Sequence, residues 1–170
     1  MFRIRCATPA DAAALAELAE RTYRDTFAAE NNPDDLDAYL AKAYGEPQQR
    51  SEIEKADAVT LLVESDAGAE LIAFAQLRRV SSPHGEVEIA RFYVDKLHHG
   101  RGVAQALMNA AVETARELGG TTLWLGVWER NWRAIAFYLK CGFEDVGSQP
   151  FLVGSDLQTD RVMARVIAST

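Results

Sequence analysis

Two glycines one residue apart, Gly100 and Gly102, stand between the strand-like run VEIARFYVD and a helical stripe that begins at Val103. Small residues at a strand-to-helix junction leave backbone N–H groups uncovered. The first turn of a helix has unpaired N–H donors and a partial positive charge. Together these make a site for a phosphate or pyrophosphate. Two nucleotide signatures are excluded by the residues themselves. A Walker loop needs G-x-x-x-x-G-K followed by Ser or Thr, which is absent, and a dinucleotide fingerprint needs a third glycine where this chain has Gln105. A helix that simply starts at a glycine is the structural alternative. Further on, Asn131, Ala134 and Tyr138 share one face of a helix at i, i+3 and i+7, beside an apolar face of Trp132, Ile135, Ala136 and Leu139. One face can pack on a sheet while the other lines a ligand. The alternative for Tyr138 is a core aromatic with its hydroxyl tied off.

The elements that must position these residues follow from pattern. Phe2 to Cys6 reads as a strand, and Thr8-Pro9-Ala10-Asp11 as a helix start with Thr at the cap, running to about Phe27. Asn32-Pro33-Asp34-Asp35 repeats that grammar before a second helix with Leu36, Tyr39, Leu40 and Ala43 on one face. A third helical piece runs from Pro47 to about Lys55. Val59 to Glu64 and Leu71 to Val80 form a hairpin around Asp66-Ala67-Gly68, and Val87 to Asp95 is a long strand. The helix after the glycines carries Val103, Leu107, Ala111, Ala115 and Leu118 on one stripe and ends at Gly119-Gly120. Thr121 to Val127 is a strand, Asn131 caps a helix to about Lys140, and Phe143 to Ile167 forms two strands around Gly154-Ser155-Asp156. The result is a single α/β domain over residues 1–170, with one mostly antiparallel sheet and helices on its faces.

Composition narrows the function. The net charge of −7 argues against nucleic acid as the main partner, because phosphate backbones demand a basic face. No apolar run is long enough to span a bilayer, and MFRIRCATPADA has no apolar stretch of the secretory kind. Cys6 and Cys141 read as two reduced thiols of a cytoplasmic protein. His84, His98 and His99 show no metal-ligand spacing, so no metal is expected.

The run YVDKLHHGRGVAQALM resembles the acyl-CoA-binding motif of the GNAT superfamily of N-acetyltransferases. That motif has Gln or Arg, two residues, Gly, one residue, then Gly or Ala. Here the stretch is His99-Gly100-Arg101-Gly102-Val103-Ala104, with His99 in place of the usual Gln or Arg. NWRAIAFYLKCGFEDVG is similar to a second signature of that superfamily through Asn131, Ala134, Phe137, Tyr138, Gly142 and Phe143. YRDTFAAENNPDDLDAYL, together with Phe151, Gly154 and Gln158-Thr159-Asp160, looks like its bacterial spermidine/spermine-type branch.

The resemblance implies a mixed sheet of about seven strands, splayed in the middle, and acetyl-CoA as cosubstrate. It implies that backbone groups of Phe92 and Val94, flanking Tyr93, pair with the pantetheine arm. The amides of Gly100, Gly102, Val103 and Ala104 hold the pyrophosphate, in a loop that includes Arg101 and to which His99 contributes mainly its backbone N–H. The Val94 N–H polarises the thioester carbonyl, and Tyr138 protonates the departing thiolate. Asn131 and Ala134 line the cofactor. The acceptor is a small-molecule amine, a polyamine among the possibilities. The other readings are a peptide or protein N-acetyltransferase and a non-catalytic acyl-CoA-binding regulator. The resemblance also suggests a homodimer. An alkylamine with a pKa near that of Lys must lose a proton before attack, at a cost of roughly 4–5 kcal/mol at pH 7. Glu88 is the candidate base, since strand parity places it with Ala90, Phe92 and Val94; Glu86 is a weaker one, and a solvated strand carboxylate is the alternative. Asp34, Asp35 and Asp37 could line a polyamine pocket or merely favour a helix start. Tyr23, Phe27 and Tyr39 could wall the acceptor or belong to the core.

Overall fold

The computed structural model describes residues 1–168. In chain order the elements are β1 (Phe2–Cys6), α1 (Ala12–Phe27), α2 (Pro33–Ala43), α3 (Glu46–Glu54), β2 (Ala58–Ser65), β3 (Leu71–Arg79), β4 (Val87–Val94), α4 (Val103–Glu117), β5 (Thr122–Trp128), α5 (Trp132–Lys140), β6 (Glu144–Val153) and β7 (Asp156–Val166). Asn32 caps α2 as its residues suggest, but the residues after Thr8 form a 3-10 turn over Pro9–Asp11, so α1 begins only at Ala12 and Thr8 makes no side-chain cap bond. The Asp11 carboxylate accepts from the Thr8 N–H at 2.7 Å, and the Asn32 side chain accepts from the Asp34 N–H at 2.8 Å.

The strands form one seven-stranded sheet in the order β1-β2-β3-β4-β5-β7-β6. Every neighbouring pair is antiparallel except β4 and β5, which run parallel and pair only at Val87–Ile89 with Leu123–Leu125. Where that pairing stops, β4 carries a bulge: Ile89 faces Leu77 and Arg91 faces Gln76, so Ala90 is the extra residue. A bulge bends its strand and raises the local twist. Beyond it the sheet opens between β4 and β5.

Each face of the sheet has its own core. On one face, Leu107, Met108, Ala111 and Ala115 of α4 and Phe143 pack on Val63, Ala75, Leu77, Ile89 and Leu125. On the other, Leu15, Leu18, Ala19 and Tyr23 of α1 and Leu36 and Leu40 of α2 pack on Leu62 and Phe74. Leu107 is wholly buried, and its truncation to Ala costs about 2–5 kcal/mol. The split in the sheet therefore opens toward both cores at once.

Candidate active site

The opening is a cleft of about 960 Å³, and its lining comes from both faces. At one end lie the glycines. Gly100 and Gly102 have φ of 76° and 81°, and a Cβ built on either meets nothing within 4 Å. These positions are glycine because the backbone turns left-handed there and because the space above stays open. The first bond of α4 runs from the Ala106 N–H to the Gly102 carbonyl at 3.1 Å, so the amides of residues 103–105 have no acceptor within the helix. Asp95 fixes the approach to this turn. It accepts from the Leu97 N–H at 3.0 Å and from the Arg21 Nη2 at 2.8 Å. Lys96, His98, His99, Arg133 and Lys140 add a basic rim. Open left-handed glycines, free amides and a basic rim fit a diphosphate.

The next part of the site is backbone. The Asp95 N–H bonds the Ile72 carbonyl of β3 at 2.8 Å. Polar groups alternate sides along a strand, so those of Val94 and Phe92 turn the other way, toward the opening. The Val94 carbonyl accepts from His99 Nε2 at 2.8 Å, while its N–H faces the cleft. His99 thus also engages the strand through its ring, where the sequence suggested mainly its backbone. Tyr138 stands across the gap. It is 7% exposed, and its ring packs edge-on against Phe92, Phe137 and Phe143. Burial, and then the neighbouring Cys141, push the phenol above its ordinary range, so it stays protonated. No protein group within the described residues takes its proton in a hydrogen bond. Asn131 spends its side chain capping α5 at the Ala134 N–H, 3.2 Å away, and both residues line the cleft.

The other end is aromatic. Tyr23 packs on Phe27, Tyr39, Tyr44 and Tyr93, with ring centroids 4.4–6.2 Å apart, and Trp128 and Phe151 complete the wall. Helix α2 lies across this end. The Asp35 carboxylate accepts from the Ser155 N–H and hydroxyl, each at 2.7 Å, and Gln158 Nε2 donates to Asn31 at 2.5 Å. Arg91 also reaches the cleft, but its guanidinium is committed to Glu52, to Gln76 Oε1 at 2.7 Å and to the Tyr44 ring at 4.6 Å. Asp160 of β7 is 7% exposed, and burial followed by the charge of Glu129 raises its carboxyl from 3.8 to about 6.

Several sequence expectations change here. The bulge at Ala90 reverses the parity of β4, so Glu88 shares a face with Arg91 and Tyr93, not with Phe92 and Val94. Its carboxylate pairs with Arg78 at 3.1 Å and is not among the groups lining the cleft. Glu86 is bound to Thr121 and to the Thr122 N–H at 3.2 Å, at the closed end of the β4–β5 pair. Asp37 pairs with Arg24 at 2.8 Å and Asp35 with Ser155; neither they nor Asp34 line the cleft. The Val103 side chain lies in the core, so only its amide can serve a ligand, and the Arg101 side chain is exposed outside the cleft lining. The Tyr93 ring belongs to the aromatic end, against Phe74 and Tyr23. Tyr23, Phe27 and Tyr39 are both core and wall. The sequence pattern does not mark Tyr44, Asp95, Gly126 or Asp160 as site residues, yet all but Asp95 line the cleft and Asp95 holds the turn beside it. Still, Gly126 was a visible sign, because a glycine inside the apolar strand LWLGVW marks a close approach.

A split sheet with an anion cradle at one end, a buried phenol at its middle and an aromatic pocket at the other defines a group-transfer site for a phosphorylated donor. The acetyltransferase (GNAT) family matches residues 13–143, and the chain belongs to that family. It is an N-acetyltransferase that uses acetyl-CoA. An uncharacterised N-acetyltransferase in the pepI 3′ region of Lactobacillus delbrueckii subsp. lactis is 30% identical over 155 residues, 88% of each chain. A probable spermine N(1)-acetyltransferase of Bacillus subtilis subsp. natto is 30% identical over 69 residues, 40% of this chain and 45% of that one. The crystal structure of the PaiA N-acetyltransferase from Thermoplasma acidophilum in complex with coenzyme A superposes with a TM-score of 0.83 over 98% of this chain and 99% of that one. At 21% identity that likeness concerns the fold.

Proposed function

We propose that this acetyltransferase modifies the primary amine of a small cationic molecule, a polyamine or a comparable amine, by direct transfer from acetyl-CoA. The amides of Gly100, Gly102, Val103 and Ala104 hold the diphosphate. The backbone groups of Phe92 and the Val94 N–H pair with the pantetheine arm as an added strand would, while the Val94 carbonyl is held by His99. The Val94 N–H points at the carbonyl oxygen where charge develops during attack. Tyr138, protonated and buried, gives its proton to the departing sulfur.

The observation that carries the small acceptor is the closure of the aromatic end. Helix α2 places Tyr39 on this end, and α2 and the residue Asn31 before it are tied to the β6–β7 hairpin through Asp35–Ser155 and Asn31–Gln158, with the Tyr39 and Phe151 rings 5.5 Å apart. A peptide needs an open groove on that side. The partial likeness to a probable spermine acetyltransferase supports a cationic acceptor. An acceptor screen read by mass spectrometry, for the gain of one acetyl group, tests the proposal. Spermidine, spermine, tyramine, amino acids and short peptides are the panel, and small amines are the expected substrates. Acetylation confined to peptides refutes the small acceptor. Tight acetyl-CoA binding with no product on any amine refutes the catalytic reading and favours a regulator.

A further inference from the structure

We propose that Asp160 receives the acceptor ammonium and takes its proton, the task of the general base. The assignment rests on the small-amine reading above and adds the residue that recognises the amine. Asp160 sits on β7 opposite Trp128 of β5, one strand away from the opening. What lets it reach the cleft is Gly126. A Cβ at residue 126 would lie 3.1 Å from Asp160 Oδ2 and 2.7 Å from Gln149 Nε2. The carboxylate therefore leans across β5 through the gap that the missing side chain leaves. Its φ is not in the left-handed region, so space and not backbone conformation is what the glycine provides there.

The carboxylate has no partner of its own. No hydrogen bond or ion pair reaches it among the described residues. The groups that face it are Tyr23 from α1, Tyr39 from α2, Glu129 just after β5, and the uncharged Gln149 from β6. The nearby cation of the aromatic end, Arg91, is turned toward Glu52, Gln76 and Tyr44. A buried carboxylate without a counter-charge is unfavourable, and a ligand ammonium relieves it. The surrounding rings of Tyr23, Phe27 and Trp128 favour the same ligand, since aromatic faces attract cations. Burial and Glu129 also raise the carboxyl to about 6, which leaves it ionised at pH 7–8 and a stronger base than a surface aspartate.

The protons balance. One ammonium proton passes to Asp160 and from there to water in the cleft. The nitrogen lone pair then forms the C–N bond to the thioester carbonyl carbon. The C–S bond breaks, the sulfur leaves with the Tyr138 proton, and the second nitrogen proton restores the phenol. The net change is one acetyl group on nitrogen, one proton on sulfur and one proton released.

Thiol release with spermidine and tyramine as acceptors, followed from pH 5 to 9, tests the assignment on the wild type, Asp160→Asn and Gly126→Ala. Asp160→Asn is expected to lower kcat/KM for the amine about 100-fold and to remove the acid limb near pH 6, with the KM for acetyl-CoA unchanged. Gly126→Ala keeps the carboxylate but displaces it, and it is expected to raise the amine KM while the acid limb persists. Wild-type kcat/KM and an intact acid limb in Asp160→Asn overturn the assignment. So does a variant that loses acetyl-CoA affinity along with activity, because Asp160 would then serve structure alone. No thiol release by the wild type with any amine overturns the small-amine reading, and this assignment with it.

Discussion

If Asp160 is held without a counter-charge, removing its charge should stabilise the protein while damaging its chemistry. The magnitude follows from its titration. In the unfolded chain the carboxyl titrates near 3.8, and in the folded protein near 6. The folded state thus binds the proton more tightly, and between these values it holds more protons than the unfolded state does. Stability falls as pH rises through that window and levels off above it. Each pH unit of difference is worth 1.36 kcal/mol, so the ionised carboxylate costs the fold up to about 3 kcal/mol. One face of the group opens on the cleft and its water, so the expected cost is about 1–3 kcal/mol. Asp160→Asn keeps shape and polarity and abolishes the ionisation. Urea unfolding of wild type and variant in parallel, from pH 3.5 to 8, isolates the effect from every other titrating group. The difference should be near zero below pH 4, grow through pH 4–6 and stay constant above it, with the variant more stable. A variant less stable than the wild type at pH 8 would mean that the carboxylate has a cationic or hydrogen-bonding partner in the free protein, and the argument from its isolation would fail.

Three other outcomes are expected. Gly102→Glu should abolish CoA binding by calorimetry while the protein stays folded: the left-handed φ costs a side chain about 1–2 kcal/mol, and the new charge opposes the diphosphate. Tyr138→Phe should lower kcat about 100-fold and leave acetyl-CoA affinity unchanged, because the ring still packs on Phe92 and Phe143; an unchanged kcat with chemistry rate-limiting makes Tyr138 a structural aromatic. Asp95→Ala should raise the KM for acetyl-CoA and cost about 1–3 kcal/mol in a thermal melt, since it loses both the Leu97 N–H and the Arg21 pair.

What was legible in the sequence is what depends on local chemistry. The cap at Asn32, the stripe of α4 and the glycine turn at 100–102 are each written in residues a few positions apart, and each forms as read, whereas Thr8 makes no side-chain cap bond and opens only a 3-10 turn before α1. The parity of β4 was not legible. An alanine occupies the bulge, with no glycine or proline to mark it, and one extra residue moves Glu88 to the opposite face. The His99 ring escaped notice because its partner, the Val94 carbonyl, is a backbone group that a residue pattern does not display. Asp160 stands among the residues of the resemblance, but nothing local places it in the site: only the pairing of β5 with β7 brings it beside Gly126, and that pairing is a property of the whole sheet.

The three-residue pairing of β4 with β5 has an evolutionary consequence. The polar groups exposed by this interrupted ladder belong to the main chain, which every residue carries whatever its side chain. At the donor end, drift in the side chains of Phe92 or Val94 leaves the amides and carbonyls in place. At the aromatic end each contact is a replaceable side chain, on or beside α1, α2, β4, β5, β6 and β7, and none of them forms part of the glycine turn. On the proposed assignment, acceptor preference can therefore change residue by residue without disturbing how the acetyl donor is held. One interrupted sheet thus supplies a socket built of main chain and one built of side chains, and they can diverge at different speeds.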